Sequence, residues 1–239
     1  MNAFIDDYEQ AMVPRREAFR AAPAVTELIA PECSVERFTR WMLRFSAHGP
    51  KMTAPVEEWI ASAGKRCQEI GMNALGTALT AHSHAEAGHD ALMVADAYAI
   101  AAWLNEHGEH IDAQALLAQP LLASSQAYRA LHENVINGPQ PFGQLAIEYE
   151  IEMLSVTIGP PMLRNCERVF GPGNRQYTFL AEHVELDAGH TAFNRRQLSE
   201  VLAVKPTALP MMIETGTAAL DAYGAFMAEC MELAEMDLG

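Results

Sequence analysis

The chain has 239 residues, with 31 Asp and Glu against 16 Lys and Arg and a formal charge of −15. A surface this acidic repels nucleic acid and anionic membrane, so neither is an expected partner. Cys33, Cys67, Cys166 and Cys230 are scattered with no C-x2-C pair, which fits free thiols in a reducing cytoplasm better than a disulfide framework or a zinc knuckle.

A chain of this length buries roughly 70–75% of its unfolded surface and needs no covalent staples. One domain is expected, with an N-terminal segment over 1–33, a metal-binding helical core over 34–204 and a C-terminal helix over 205–239. The first residues, MNAFIDDYEQ, are acidic and lack a basic region followed by an apolar run, so no signal peptide is expected. The most apolar stretch, around Ala91 to Leu104, contains Asp96 and is too short to span a bilayer. The expectation is a soluble, cytoplasmic protein.

Ala, Leu, Glu and Met are abundant and β-branched runs are few, which favours helix. Ser34 is placed to cap a helix over VERFTRWMLRFSAH that ends before Gly49-Pro50. Thr53, with Pro55 just inside, opens a second helix. After Gly71 one long helix is expected from about Met72 to His107, stopped by Gly108. Asp112 can cap a short helix through Leu117, and another spans about Leu122 to Val135, ending at Asn137-Gly138-Pro139. Phe142 to Ile158 is helical until Gly159-Pro160-Pro161 kinks or breaks it, and a continuation runs to Phe170. Gly171-Pro172-Gly173 turns the chain into a helix from Asn174 to Val204, and the last helix covers about Ala208 to Glu235. No run shows a convincing period of two. The expected fold is all-α, a bundle of about seven helices, and such bundles place metals between facing helices.

Two of these helices carry the same pattern. His82, Glu86 and His89 read H-x3-E-x2-H; His183, Asp187 and His190 read H-x3-D-x2-H. At about 100° per residue, steps of four and seven return to nearly the same azimuth, so each triplet puts two imidazoles and a carboxylate on one helical stripe. With nine His and 31 acidic residues in the chain, only about 0.04 such patterns arise by chance, so two of them point to a shared chemistry. That chemistry is the ligation of a hard or borderline transition metal such as iron or manganese. A two-metal centre needs more negative charge than the triplets supply. The segment Ala146-Ile-Glu-Tyr-Glu-Ile-Glu-Met offers it: Glu148 and Glu152 share a face among apolar neighbours, where a carboxylate is costly unless paired or bound to a cation. Glu150 points elsewhere.

These residues resemble a family. Glu86-x2-His89-Asp90, followed by Asp96, is similar to the E-x2-H helix of the haem-oxygenase-like di-iron oxidases and oxygenases. Tyr149-Glu-Ile-Glu152-Met-Leu-Ser is similar to the central helix of that family, and Phe179-Leu-Ala-Glu-His183-Val-Glu-Leu-Asp187-Ala-Gly-His190 to its third motif. The resemblance spans about Ser34 to Leu202 and implies a haem-oxygenase-like fold. It also implies three His and three carboxylates around two irons: Glu86, His89, Glu152, His183, Asp187 and His190. Glu148 is a rival for the central carboxylate, because the stretch from His89 to Glu152 is a few residues longer than the family leads one to expect. His82 stands where some relatives carry a carboxylate. True haem oxygenases fit worse, since the first His is His48, and thiaminase-like relatives would need a placed nucleophilic Cys, for which Cys166 offers only its presence.

Other residues read more plainly. His84 lies off the stripe and is expected to be exposed; His107, His110 and His132 sit near helix ends, where a cation offsets the macrodipole. Met211, Met212 and Met227 are expected in the core, as are Trp41, Trp59 and Trp103. Arg164, Arg195 and Arg196 belong to a solvated face or hold a substrate carboxylate. The function implied is O2-activating oxidation of a small organic substrate by two Fe(II) ions, or Mn, with an external reductant. Relatives act on amines, amino acids or fatty acids by N-oxygenation, C–H oxidation or C–C cleavage. The alternatives are a ferritin-like iron store or ferroxidase using Glu57 or Glu58, which would leave His183 idle, and a helical binding protein without metal. An acidic helical chain of this size is compatible with a homodimer.

Overall fold

The computed structural model describes residues 3–238, and among these there is helix, turn and loop but no strand. The described residues form ten helices of eleven residues or more and two shorter ones, rather than about seven. The difference comes from the start of the chain and from breaks inside expected helices. The N-terminal segment folds as α1 (Ala3–Arg20) and α2 (Pro23–Ile29), the second opened by a Pro at its first position.

Ser34 caps α3 (Val35–Thr53), its hydroxyl accepting from Arg37 N at 3.3 Å. The helix does not stop at Gly49-Pro50 but runs through both. A Cβ at Gly49 would overlap the Met93 side chain, so the glycine is a packing notch and not a terminator. Next come α4 (Val56–Glu69) and α5 (Asn73–Ser83). The expected long helix breaks here. A 3-10 turn over His84–Glu86 leads into Gly88, whose φ of +80° is a left-handed conformation that suits glycine, and α6 (His89–Glu106) starts afresh. Asp112 caps α7 (Ala113–Ala118), accepting from Ala115 N at 3.1 Å. The chain continues through α8 (Ala123–Asn137), α9 (Gln144–Thr157), α10 (Gly159–Phe170), α11 (Thr178–Val204) and α12 (Leu209–Met236). The break from α9 falls at Ile158, where it is expected, and Gly159-Pro160-Pro161 form the first turn of α10. Among the described residues no helix is long and apolar enough to cross a membrane.

The bundle is arranged around α9, which packs on α11, α12 and α10. Its first seven residues are all buried, and so are Glu152 and Leu154. Three carboxylates on one enclosed helix require partners on every side. Glu150 points away from the other two, as expected, and its partners lie on α1: Tyr8 Oη donates to it at 2.9 Å, and Arg16 clamps it with Nε at 2.8 Å and Nη2 at 2.7 Å. On the opposite side α3 packs on α6 and α12, tied by a 3.0 Å hydrogen bond from Trp41 Nε1 to Met227 O. Asp96 of α6 fixes the start of α11. Its carboxylate accepts from Thr178 N at 2.8 Å, Thr178 Oγ1 at 2.6 Å and Phe179 N at 3.0 Å, so it serves as a helix cap supplied by another helix. This sets the register of the helix that carries His183, Asp187 and His190.

Candidate metal centre

Five elements meet beside the cavity of the bundle. His82 closes α5, Glu86 sits in the 3-10 turn, His89 is the first residue of α6, Glu152 is on α9, and His183, Asp187 and His190 occupy successive turns of α11. The stripe argument holds for α11, which is continuous. It does not hold for the first triplet, because the chain breaks between Ser83 and His89. The three side chains converge through the Gly88 turn instead of along one helix face.

His82, Glu86, Glu152 and His190 each offer a ligand atom, all within 4.8 Å of one another, and Glu86, His89 and His183 form a second such group. Glu86 belongs to both. Its two oxygens face different ways, Oε1 lying 2.9 Å from His190 Nδ1 and Oε2 lying 3.3 Å from His89 Nδ1. His82 Nε2 is 3.5 Å from Glu152 Oε1, and Asp187 Oδ1 is 3.4 Å from His190 Nδ1. His82, the less secure histidine of the sequence reading, thus stands inside the first group. Glu148 lies outside both; Gln144 donates to its Oε1, and it faces the cavity.

The donor atoms themselves test the fit to a metal. Buried polar atoms are normally hydrogen-bonded. Yet His82 Nε2, Glu86 Oε1, His89 Nδ1, Glu152 Oε1, Asp187 Oδ2 and His190 Nδ1 are all buried without a hydrogen-bond partner. They lie close together but are not aimed at one another, which is what lone pairs directed at common cations look like. The groups around them are secured. His183 Nδ1 donates to Phe179 O at 2.8 Å and leaves Nε2 for ligation; Asn194 Nδ2 donates to Glu152 Oε2 at 2.8 Å and leaves Oε1 free. This donor set fits a divalent metal.

Without cations the protonation of the cluster is divided. Burial alone would raise Glu86, but His190 and His89 outweigh it and hold the carboxyl well below the usual range. Asp187 and Glu86 push His190 up to about 10, and Glu86 raises His89. Burial pushes Glu148 and Glu152 well above the ordinary carboxyl value and lowers His82 and His183. Metal ligands must be deprotonated, so a metal ion held here would have to displace the proton that His190 keeps at neutral pH.

A cavity of about 130 Å³ adjoins the cluster, and His89, His183, Glu86, Glu152 and Asp187 form part of its wall. Most of the remaining wall is apolar, including Trp41, Phe45, Ile151 and Phe179.

Residues 33–224 match the model of a protein family described as iron-containing redox enzymes. The chain belongs to this family. It is therefore an iron-containing oxidoreductase by descent, in keeping with the His and carboxylate cluster. The fold has a solved counterpart in a domain of unknown function with a heme oxygenase-like fold from Shewanella denitrificans OS217. The two share 14% identity and superpose with a TM-score of 0.76 over 97% of this chain and 93% of the other. That likeness speaks to the fold, which is haem-oxygenase-like. No curated protein matches the chain.

Several residues that shape the site escaped the sequence reading. Asn194 follows His190 by four and extends the same stripe, so the signal was there. His132 was expected near a helix end as a partner of the macrodipole. It is instead fully buried within α8, stacked on Trp59 with ring centroids 4.0 Å apart and in contact with Gln144, and burial lowers its pKa to about 3. His84 is exposed, as expected. Arg195 pairs with Glu9 at 3.2 Å, and neither it nor Arg164 nor Arg196 lines the cavity. Burial raises the Cys166 thiol well above its ordinary value, which disfavours the thiolate that a nucleophile needs.

Proposed function

We propose that the chain is an O2-activating non-haem di-iron oxidase or oxygenase of a small organic substrate. The observation that carries this reading is the sharing of Glu86 by two ligand groups at the wall of an apolar cavity. A single-metal site does not need two groups, and a storage site does not need the cavity. Two ferrous ions held by His82, Glu86, His89, Glu152, His183, Asp187 and His190 would supply the electrons and open coordination positions that O2 reduction requires.

The chain's own residues do the rest. Glu86 turns one oxygen toward each group and keeps them adjacent. Phe179 O fixes the His183 tautomer, Asn194 orients Glu152, and the apolar wall excludes water from the reacting atoms. An iron store of the ferritin type would take a carboxylate from α4 and leave His183 unused. Glu57 lies instead 3.6 Å from the exposed His84, and His183 stands in the second group.

Anaerobic ferrous titration followed by elemental analysis tests the reading. Uptake of about two iron ions per chain is expected from two ligand groups. A correctly folded protein that retains none sinks both the oxidase and the store.

A further inference from the structure

We propose that Asp96 is a positioning residue for the metal centre: it acts on His183 through Phe179 and holds together the group formed by Glu86, His89 and His183. This rests on the two-metal reading of the cluster and says how one half of it keeps its shape.

Asp96 is 1% exposed and forms part of the cavity wall. A buried carboxyl group must be met by donors. Its donors come from the first turn of α11: Thr178 N at 2.8 Å and Thr178 Oγ1 at 2.6 Å reach Oδ1, and Phe179 N at 3.0 Å reaches Oδ2. A helix is ordinarily capped by the residue just before it. Tyr177 stands there and makes no side-chain cap bond, so α11 begins on a group borrowed from α6.

Phe179, which Asp96 holds by its N–H, holds His183 by its carbonyl. Phe179 O accepts from His183 Nδ1 at 2.8 Å, and the Phe179 ring lies against the imidazole with centroids 4.0 Å apart. One residue therefore sets both the tautomer and the ring position of His183, and Asp96 fixes that residue from the other side. Imidazoles that bind metals depend on such outer partners for their orientation.

The same bond bridges the two helices of the group. Asp96 follows His89 by two turns, so both lie on one face of α6, roughly 10 Å apart along its axis. On α11, Thr178 precedes His183 by roughly 7–8 Å. The two helices pack together, and His89 meets His183 with ring centroids 4.8 Å apart. Two rungs thus join α6 to α11: Asp96 on the first turn of α11, and His89 beside His183. Without the first rung, only the contact between the two imidazoles sets their register. The group of His82, Glu86, Glu152 and His190 takes its member of α11 from two turns beyond His183, away from the Asp96 rung.

The test starts with metal-free protein, isotope-labelled on its histidine nitrogens, in which the His183 signals are identified by their loss in His183→Gln. Nuclear magnetic resonance of the wild type should show His183 as one tautomer, protonated at Nδ1. Asp96→Asn should show a mixture of tautomers in a chain that is still helical by circular dichroism. Co(II) titration with elemental analysis follows. Asp96→Asn should bind one of two Co(II) ions at least about tenfold more weakly and leave the other unchanged. Adding Asp96→Asn to His183→Ala should weaken that ion no further, because the two residues act in series. Asp112→Ala, which removes the cap of α7, controls for lost stability and should leave both ions unchanged. Thr178→Val deletes one of the three bonds; it should shift both readouts the same way by less, and it decides the matter if Asp96→Asn does not fold. A single Nδ1–H tautomer in Asp96→Asn, equal weakening of both ions, or further loss in the double variant overturns the proposal. A wild-type chain that takes up no Co(II) sinks the two-metal reading, and the tautomer of His183 still decides whether Asp96 acts on it.

Discussion

His183 shows how much one side chain decides. Its Nδ1 is committed to Phe179 O, its ring lies against His89 and Phe179, and only Nε2 is left to face the cluster. We expect His183→Ala to lower iron affinity or O2 consumption by about a hundredfold or more, given that even outer residues of metal sites are worth 10–100-fold. The far-ultraviolet circular dichroism should stay that of a helical protein, since little apolar packing is lost. Oxygen-electrode traces that match the wild type would remove His183 from the ligand set and revive the store. At this scale the residues that cluster were legible, because His and acid at fixed spacing on α11 leave a periodic trace. The choice of Glu152 over Glu148 came from the family resemblance; the geometry groups Glu152 with His82, Glu86 and His190. Asp96 was legible as part of the E-x2-H helix but its role was not, because the helix that it caps begins far away in the chain, at Thr178.

Among the elements, α11 and the pair α5 and α6 differ in kind. The first presents its ligands from an unbroken helix. The second presents them across a 3-10 turn and a left-handed glycine. Within α11 the weak point is Gly189, between Asp187 and His190. It is exposed, and nothing lies within 4 Å of where a Cβ would be, so it does not serve close packing of a neighbouring helix. Gly189→Ala should therefore stabilise the protein by about 0.5–1 kcal/mol, read as a higher urea midpoint with an unchanged slope. If this turn opens to admit iron, the variant should also load more slowly. An unchanged or lower midpoint would mean that the glycine backbone is needed as it stands. Element boundaries were harder to read than element identity. Gly49-Pro50 has the composition of a stop and is a notch for Met93, while the Ala-rich run after Gly71 has the composition of one helix and is two.

For the molecule as a whole, two buried histidines link stability to acidity. Burial, with Arg44 and Lys51 adding to it, lowers His48 to about 4; burial lowers His132 to about 3. Both values are below the ordinary histidine value of about 6.5. Above that pH neither the folded nor the unfolded chain binds these protons, and the stability is fully present. As pH falls from 6.5 towards 3, only the unfolded chain takes them up, so each histidine removes up to about 1.4 kcal/mol per pH unit. Urea midpoints should drop between pH 7 and pH 5, and His132→Asn should flatten the drop; parallel profiles for the two proteins would count against this origin. The overall all-α bundle was legible from composition alone, since a chain this rich in helix formers and poor in alternation has few other options. The part played by α1 was not. The carboxylate of Glu150, at the centre of the bundle and 0% exposed, is neutralised by Arg16 and bonded by Tyr8, both from a helix that precedes the family-matched span. The half of α9 that carries Glu152 is thus braced from behind by a segment that carries none of the proposed ligands. A version of the protein trimmed to residues 33–224 would keep every proposed ligand and leave Glu150, on the helix that holds Glu152, without the arginine and the phenol that meet it.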